Sequence, residues 1–158
     1  MGERVYVELI VLSAQKDQTI QISQDTYCDP DSINEYDSGD YSCLSYEEVK
    51  NGDFPDTFTD ALEHAGIAYE YSHESFGEYC AWECSLRFTP EGALVHKQVY
   101  ANDRSIDLST VKAYLDANNI PELLTHIDTR IESNEVLPWD NQIEYGKLYQ
   151  MKQLIGVK

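Results

Sequence analysis

Residues 79–100 read YCAWECSLRFTPEGALVHKQVY. Strict alternation through the first half puts Cys80, Trp82, Cys84, Leu86 and Phe88 on one face, which is the pattern of a strand with a core side. Thr89-Pro90-Glu91-Gly92 is a type I turn with glycine available for the left-handed position, so Ala93–Tyr100 is expected to return as a hairpin partner. Register depends on the loop. If Pro90, Glu91 and Gly92 form a three-residue loop, Thr89 pairs with Ala93 and His96 sits across from Leu86; a two-residue loop turns His96 to the other face. Immediately upstream Ile67–His73 alternates as well, so 67–100 reads as an antiparallel meander.

Working outward, Arg4–Ser13 alternates with both sides largely apolar, the pattern of a central strand covered on both faces. Thr19–Ser23 reads as a short neighbouring strand reached through the polar turn 14–18. From Gln24 to Leu44 neither period is present and turn formers abound, which predicts a long acidic loop. Ser45-Tyr46-Glu47-Glu48 has capping-box spacing and predicts a short helix ending by Asn51-Gly52. Pro55 at a first-turn position, Phe54, Phe58 and Leu62 at four-residue spacing and Gly66 as a stop predict a second helix, with Asp56, Asp60 and Glu63 on its outer face.

Toward the C-terminus, Asp107 caps a helix carrying Leu108, Val111, Tyr114 and Leu115 that ends at Asn118-Asn119. Pro121 opens another, with Leu123, Leu124, Ile127 and Ile131 expected inward, and the short linker makes the pair an αα-hairpin. Residues 139–155 fit either a helix interrupted at Gly146 or a packed extended tail, anchored by Trp139. The expected architecture is a single acidic α+β domain over 1–158: an antiparallel sheet of about five strands packed against helices, with a C-terminal αα-hairpin.

With 158 residues the chain has room for one core that buries roughly two-thirds of its unfolded surface. An apolar share of 42% and 12 tyrosines argue against disorder despite the net charge of −18. The apolar run Val5–Leu12 is interrupted by Glu8 and lacks a cleavage site after it, so it reads as a strand and not a signal peptide. No window has the length of a membrane span. A cytoplasmic protein with no membrane partner is expected, and Cys28, Cys43, Cys80 and Cys84 are expected to be free thiols.

Motifs for chemistry are scarce. None of His64, His73, His96 and His126 falls at metal-ligand spacing, and Cys80 and Cys84 are about 13 Å apart along an extended strand, too far for one zinc. A thiol hydrolase would have to pair Cys80 with His73, and acidic surroundings raise a thiol pKa. A calcium-binding module finds only a fragment of its ligand pattern in Asp29-Pro30-Asp31-Ser32-Ile33-Asn34, because Asn34 and Asp40 stand where glycine and glutamate belong. Phosphate-binding loops, nucleophile elbows and dinucleotide fingerprints are absent, so no cofactor and no catalytic residue is assigned.

Charge is the informative feature. Between Asp17 and Glu83 there are 17 acidic residues and one basic residue, Lys50, whereas the rest of the chain nearly balances. Such segregation costs folding free energy by self-repulsion and attracts cationic surfaces; direct nucleic-acid binding, which needs a basic footprint, is disfavoured. Duplex DNA carries a charge per ~1.7 Å, so the segment's net charge corresponds to roughly 27 Å of duplex. A domain of this length is on the order of 40 Å across, so one face has room for it. The composition therefore predicts a non-enzymatic inhibitor that mimics nucleic acid and occludes a cationic nucleic-acid-handling protein, as anti-CRISPR and anti-restriction proteins do. An immunity protein against a cationic nuclease toxin would use the same surface. The expected contacts are Asp29, Asp31, Glu35, Asp37, Asp40, Asp56, Asp60, Glu63, Glu70, Glu74 and Glu78, with Tyr36 and Tyr41 among interleaved tyrosines that include Tyr27, Tyr46, Tyr69, Tyr71 and Tyr79. Oligomeric state has no signature in the sequence.

Overall fold

A computed structural model describes residues 4–35, 39–75 and 80–156. Six antiparallel strands form one sheet: β1 (Arg4–Leu12), β2 (Ser32–Glu35), β3 (Tyr41–Lys50), β4 (Tyr69–His73), β5 (Trp82–Phe88) and β6 (Leu94–Tyr100), in the spatial order β2-β3-β1-β4-β5-β6. Among the described residues five α-helices accompany it: α1 (Lys16–Asp25), α2 (Asp56–His64), α3 (Leu108–Asp116), α4 (Ile120–Asn134) and α5 (Gln142–Ile155). The fold is α+β.

The meander forms as its alternation dictates. Thr89 N–H donates to Ala93 O at 2.8 Å and Leu86 pairs with His96, which is the register of the three-residue loop. β1 is the central strand, with Val7, Leu9 and Val11 fully buried on one side. That side meets Leu44 and Tyr46 from β3, Tyr69 and Tyr71 from β4, and Cys84, Leu86 and Phe88 from β5. Phe54, Phe58 and Leu62 from α2 and its approach, together with Tyr149 from α5, close this core.

Three expectations in the first half are corrected. Thr19–Ser23 is helical, inside α1. Its β-branched and small polar residues suggested a strand, but Gln15, Thr19 and Ser23 recur every four residues as the buried stripe. The Thr19 hydroxyl donates to Gln15 O at 2.9 Å and the Ser23 hydroxyl to Ile20 O at 2.8 Å, so both hydroxyls are satisfied one turn back. The segment 24–44 is not one long loop, since it contains the end of α1, all of β2 and the start of β3.

Ser45–Glu48 is strand, not helix. Val5 pairs with Val49 but Val7 with Tyr46, so β3 has one residue more than β1 there, and Glu47 and Glu48 together oppose Tyr6. This bulge leaves both glutamates exposed. The Glu47 N–H of this bulge donates to Asp31 Oδ2 at 2.7 Å.

The αα-hairpin of α3 and α4 is present, but of its four expected inward residues only Leu123 is buried. Leu124 and Ile131 are 54% and 62% exposed, because the hairpin packs mainly on itself and not on the sheet. At the C-terminus α5 runs unbroken through Gly146. Trp139 anchors its approach, with its ring centroid 3.5 Å from Arg87 Cζ. Gln142 then acts as a missing strand rung: its side-chain amide accepts from Phe88 N at 2.7 Å and donates to Phe88 O at 3.1 Å.

Gly146 is required by contact and not by conformation. α5 crosses the chain at Gly66, a residue at φ +62, so closely that a β-carbon on Gly66 would fall 2.6 Å from Gly146 O, and one on Gly146 would strike Gly66 O. In an isolated helix Gly→Ala stabilises by about 1 kcal/mol. Here overpacking, worth about 1–3 kcal/mol, opposes it. Gly146→Ala is therefore expected to lower the denaturant midpoint, and a midpoint at or above wild type would contradict this packing.

Candidate functional site

The two ends of β1 divide the acidic residues. Because Arg4 pairs with Lys50 and Glu8 with Ser72, the end of the molecule at Arg4 also holds the C-termini of β3 and β4. α1 runs back toward it, since Asp31 N–H donates to Ser45 O at 2.8 Å, and α2 starts from it. Asp29, Asp31, Glu47, Glu48, Asp53, Asp56 and Glu74 gather there, against the cations Arg4 and Lys50. Asp60 and Glu63 continue along α2, and the Tyr149 hydroxyl donates to Glu63 at 2.8 Å. Among the described residues none of Asp29, Asp31, Glu47, Glu48, Asp53, Asp56, Asp60 and Glu63 forms an ion pair.

Other expected contacts lie elsewhere. Asp40 is at the opposite end, where its carbonyl accepts from Ser13 N–H. Glu70 is on the other face of the sheet in an ion pair with Arg87, and is unavailable to a partner docking on α2. Glu35 ends β2. Tyr36, Asp37, Glu78 and Tyr79 lie outside the described residues. Tyr41 is half-buried with its ring 5.5 Å from that of Trp139. Tyr46, Tyr69 and Tyr71 are core residues, and burial pushes each phenol's pKa up. Tyr71 donates to Asp53 at 2.6 Å, which makes Asp53 part structural.

Tyr27 is the exception, 95% exposed at the acidic end. It stands at φ +57 immediately after α1, where Tyr27 N–H donates to Gln24 O at 3.2 Å and Cys28 N–H to Ser23 O at 2.8 Å. This is the Schellman termination, whose left-handed residue is usually glycine. Sequence reasoning placed Tyr27 among many tyrosines. Only the backbone separates it from the others, because a helix was not expected there. Glu47, Glu48 and Asp53 were missed as surface acids for the same reason: a bulge, not a helix, presents the first two.

A thiol–imidazole pair does form, but it is not the expected one. Cys80 is exposed and accepts from Asn102 at 3.5 Å, while His73 Nδ1 donates to Glu74 O at 2.7 Å. Cys84 Sγ lies 2.9 Å from His96 Nε2. Burial pushes the Cys84 thiol up to about 11, against an opposing hydrogen bond from Tyr71, so the pair favours the protonated, unreactive thiol. All four cysteines are free.

Comparison with family models, curated proteins and solved structures returns no match. No helix among the described residues is long and apolar enough to cross a membrane.

The thiols differ enough to be tested directly. At pH 8 a group with its pKa near 11 is ionised to the order of one part in a thousand, and Cys28 is raised to about 11 as well. One fast-reacting thiol is expected in the native protein, lost in Cys80→Ser. Rapid labelling of Cys84 would show that its pocket opens.

Proposed function

We propose that the protein is a non-enzymatic inhibitor whose acidic surface stands in for nucleic acid and occludes the cationic groove of a nucleic-acid-handling protein, in the manner of anti-CRISPR and anti-restriction proteins. The observation that supports this reading is the gathering of Asp29, Asp31, Glu47, Glu48, Asp53 and Asp56 at one end, continued by Asp60 and Glu63 on α2; among the described residues none of these carboxylates forms an ion pair, and Arg4 Nη1 reaches only the backbone carbonyl of Glu48, at 2.8 Å.

Magnitudes indicate which parts of the surface matter. Asp56 and Asp60 are one turn apart, about 6 Å by the helix rise. A DNA strand carries a phosphate every ~3.4 Å of axis, so α2 alone has roughly half the linear charge of one strand. The loop acids and the β3 bulge supply the rest. Solubility alone would be served by carboxylates spread over the surface and does not require their concentration beside α2. Self-repulsion among them destabilises the free protein, and a cationic groove relieves it on binding.

The test is competition. Labelled duplex DNA or guide RNA bound to a panel of restriction–modification enzymes and CRISPR effectors should be displaced by the protein, less effectively as salt rises past the ~8 Å screening length of physiological buffer. Combining Asp29→Asn, Glu48→Gln, Asp56→Asn and Asp60→Asn, side chains with no structural bond of their own, should slow association about tenfold or more. Absence of displacement across the panel at low salt, or equal rates for the variant, would sink the proposal.

A further inference from the structure

We infer that Tyr27 is the aromatic anchor of this acidic surface and receives an arginine side chain of the partner by stacking. The inference rests on the acidic-surface reading and adds a residue and a chemistry to it. A non-glycine residue at positive φ is uncommon, and the left-handed conformation costs an L side chain about 1–2 kcal/mol. Tyr27 has that conformation at a helix end where glycine would carry no such cost. Nothing in the fold compensates. The ring is 95% exposed and makes no ring contact or hydrogen bond through its hydroxyl among the described residues. A large aromatic side chain kept in solvent at an energetically unfavourable backbone position does nothing for folding, so the inference runs from the outlier to a role in binding.

The surroundings select the ligand chemistry. Asp25 ends α1 two residues before Tyr27, Asp29 follows two residues after it, and Asp31 is held beside β3 by its bonds to Ser45 and Glu47. Among the described residues no cation occupies the ring face. An aromatic face flanked by carboxylates suits a planar guanidinium, which stacks on the ring while donating to the acids in a fork; an ammonium is a point charge that is more strongly hydrated. Tyrosine paired with arginine is also a common energetic centre of protein interfaces.

The first measurement needs no partner. Tyr27→Gly should raise the denaturant midpoint, because the left-handed position is relieved and no packing is lost. A lowered midpoint would overturn the claim that the side chain is dispensable to the fold. The second measurement uses oligo-arginine and oligo-lysine peptides of equal length as probes, with binding followed by titration at several salt concentrations. Wild type should bind oligo-arginine about tenfold more tightly than Tyr27→Gly does, and oligo-lysine almost equally in both. Equal loss for both peptides, or none for oligo-arginine, would remove Tyr27 from the interface while leaving the acidic reading intact. Failure of either peptide to bind in a salt-dependent way would instead count against the acidic reading itself.

Discussion

A single buried cation ties the two halves of this protein together. Arg87 is 1% exposed, and an unpaired charge in such a place would cost several kcal/mol. Each of its three nitrogens is answered: Nη1 donates to Tyr69 O at 2.8 Å and Leu86 O at 3.0 Å, Nε to Leu137 O at 3.2 Å, and Nη2 to the Glu70 carboxylate. Trp139 covers the flat face of the guanidinium. Burial pulls its pKa down and Glu70 opposes that shift; the guanidinium stays charged, and its burial is tolerated only while β4, β5 and the segment leading to α5 supply these partners. Lysine would not substitute, since an ammonium cannot satisfy a fork of carbonyls and stack as well.

The same economy runs through the other cations. Lys97 is spent on the carbonyls of Glu132 and Glu135, Lys152 on Glu91 O, Arg130 on Asp103 and Arg104 on Glu83. These bonds hold the second half of the chain to itself and to β5. Cations committed in this way are not free to neutralise α2 or the loops near Arg4, which is how a nearly balanced second half coexists with an acidic first half. α1 sharpens the point. Its last turn carries Asp25 and no basic residue, so the negative end of the helix dipole faces carboxylates that it repels.

How much of this is legible in sequence follows from how local each determinant is. The hairpin at Pro90–Gly92 and the helix after Pro55 are specified by neighbours within a few residues, and alternation plus turn chemistry recovers them, with the hairpin register left between two loop lengths. α1 is not legible, because its buried stripe is Gln15, Thr19 and Ser23, polar residues whose burial depends on a long-range amide bond from Gln15 to Gly66 O and on hydroxyl bonds from Thr19 and Ser23 to the preceding turn. Ser45–Glu48 fails for a different reason. Its capping pattern is genuine, but pairing on both sides, with β1 and β2, outweighs a local preference of about 1 kcal/mol. The acidic site was visible as composition. Its division between the two ends of β1 and the withdrawal of Glu70 are long-range consequences of strand order, and the position of Tyr27 follows from the end of a helix that was not expected.

The closure of the core has a consequence for how the chain is made. Phe88 waits for Gln142, Glu63 for Tyr149, and the corner at Gly66 for Gly146, partners separated by as many as 86 residues. Until α5 has been made the sheet can pair only with one side unsealed, as an incomplete, strongly anionic intermediate. The mutual repulsion of its carboxylates keeps such incomplete chains apart from one another during that interval.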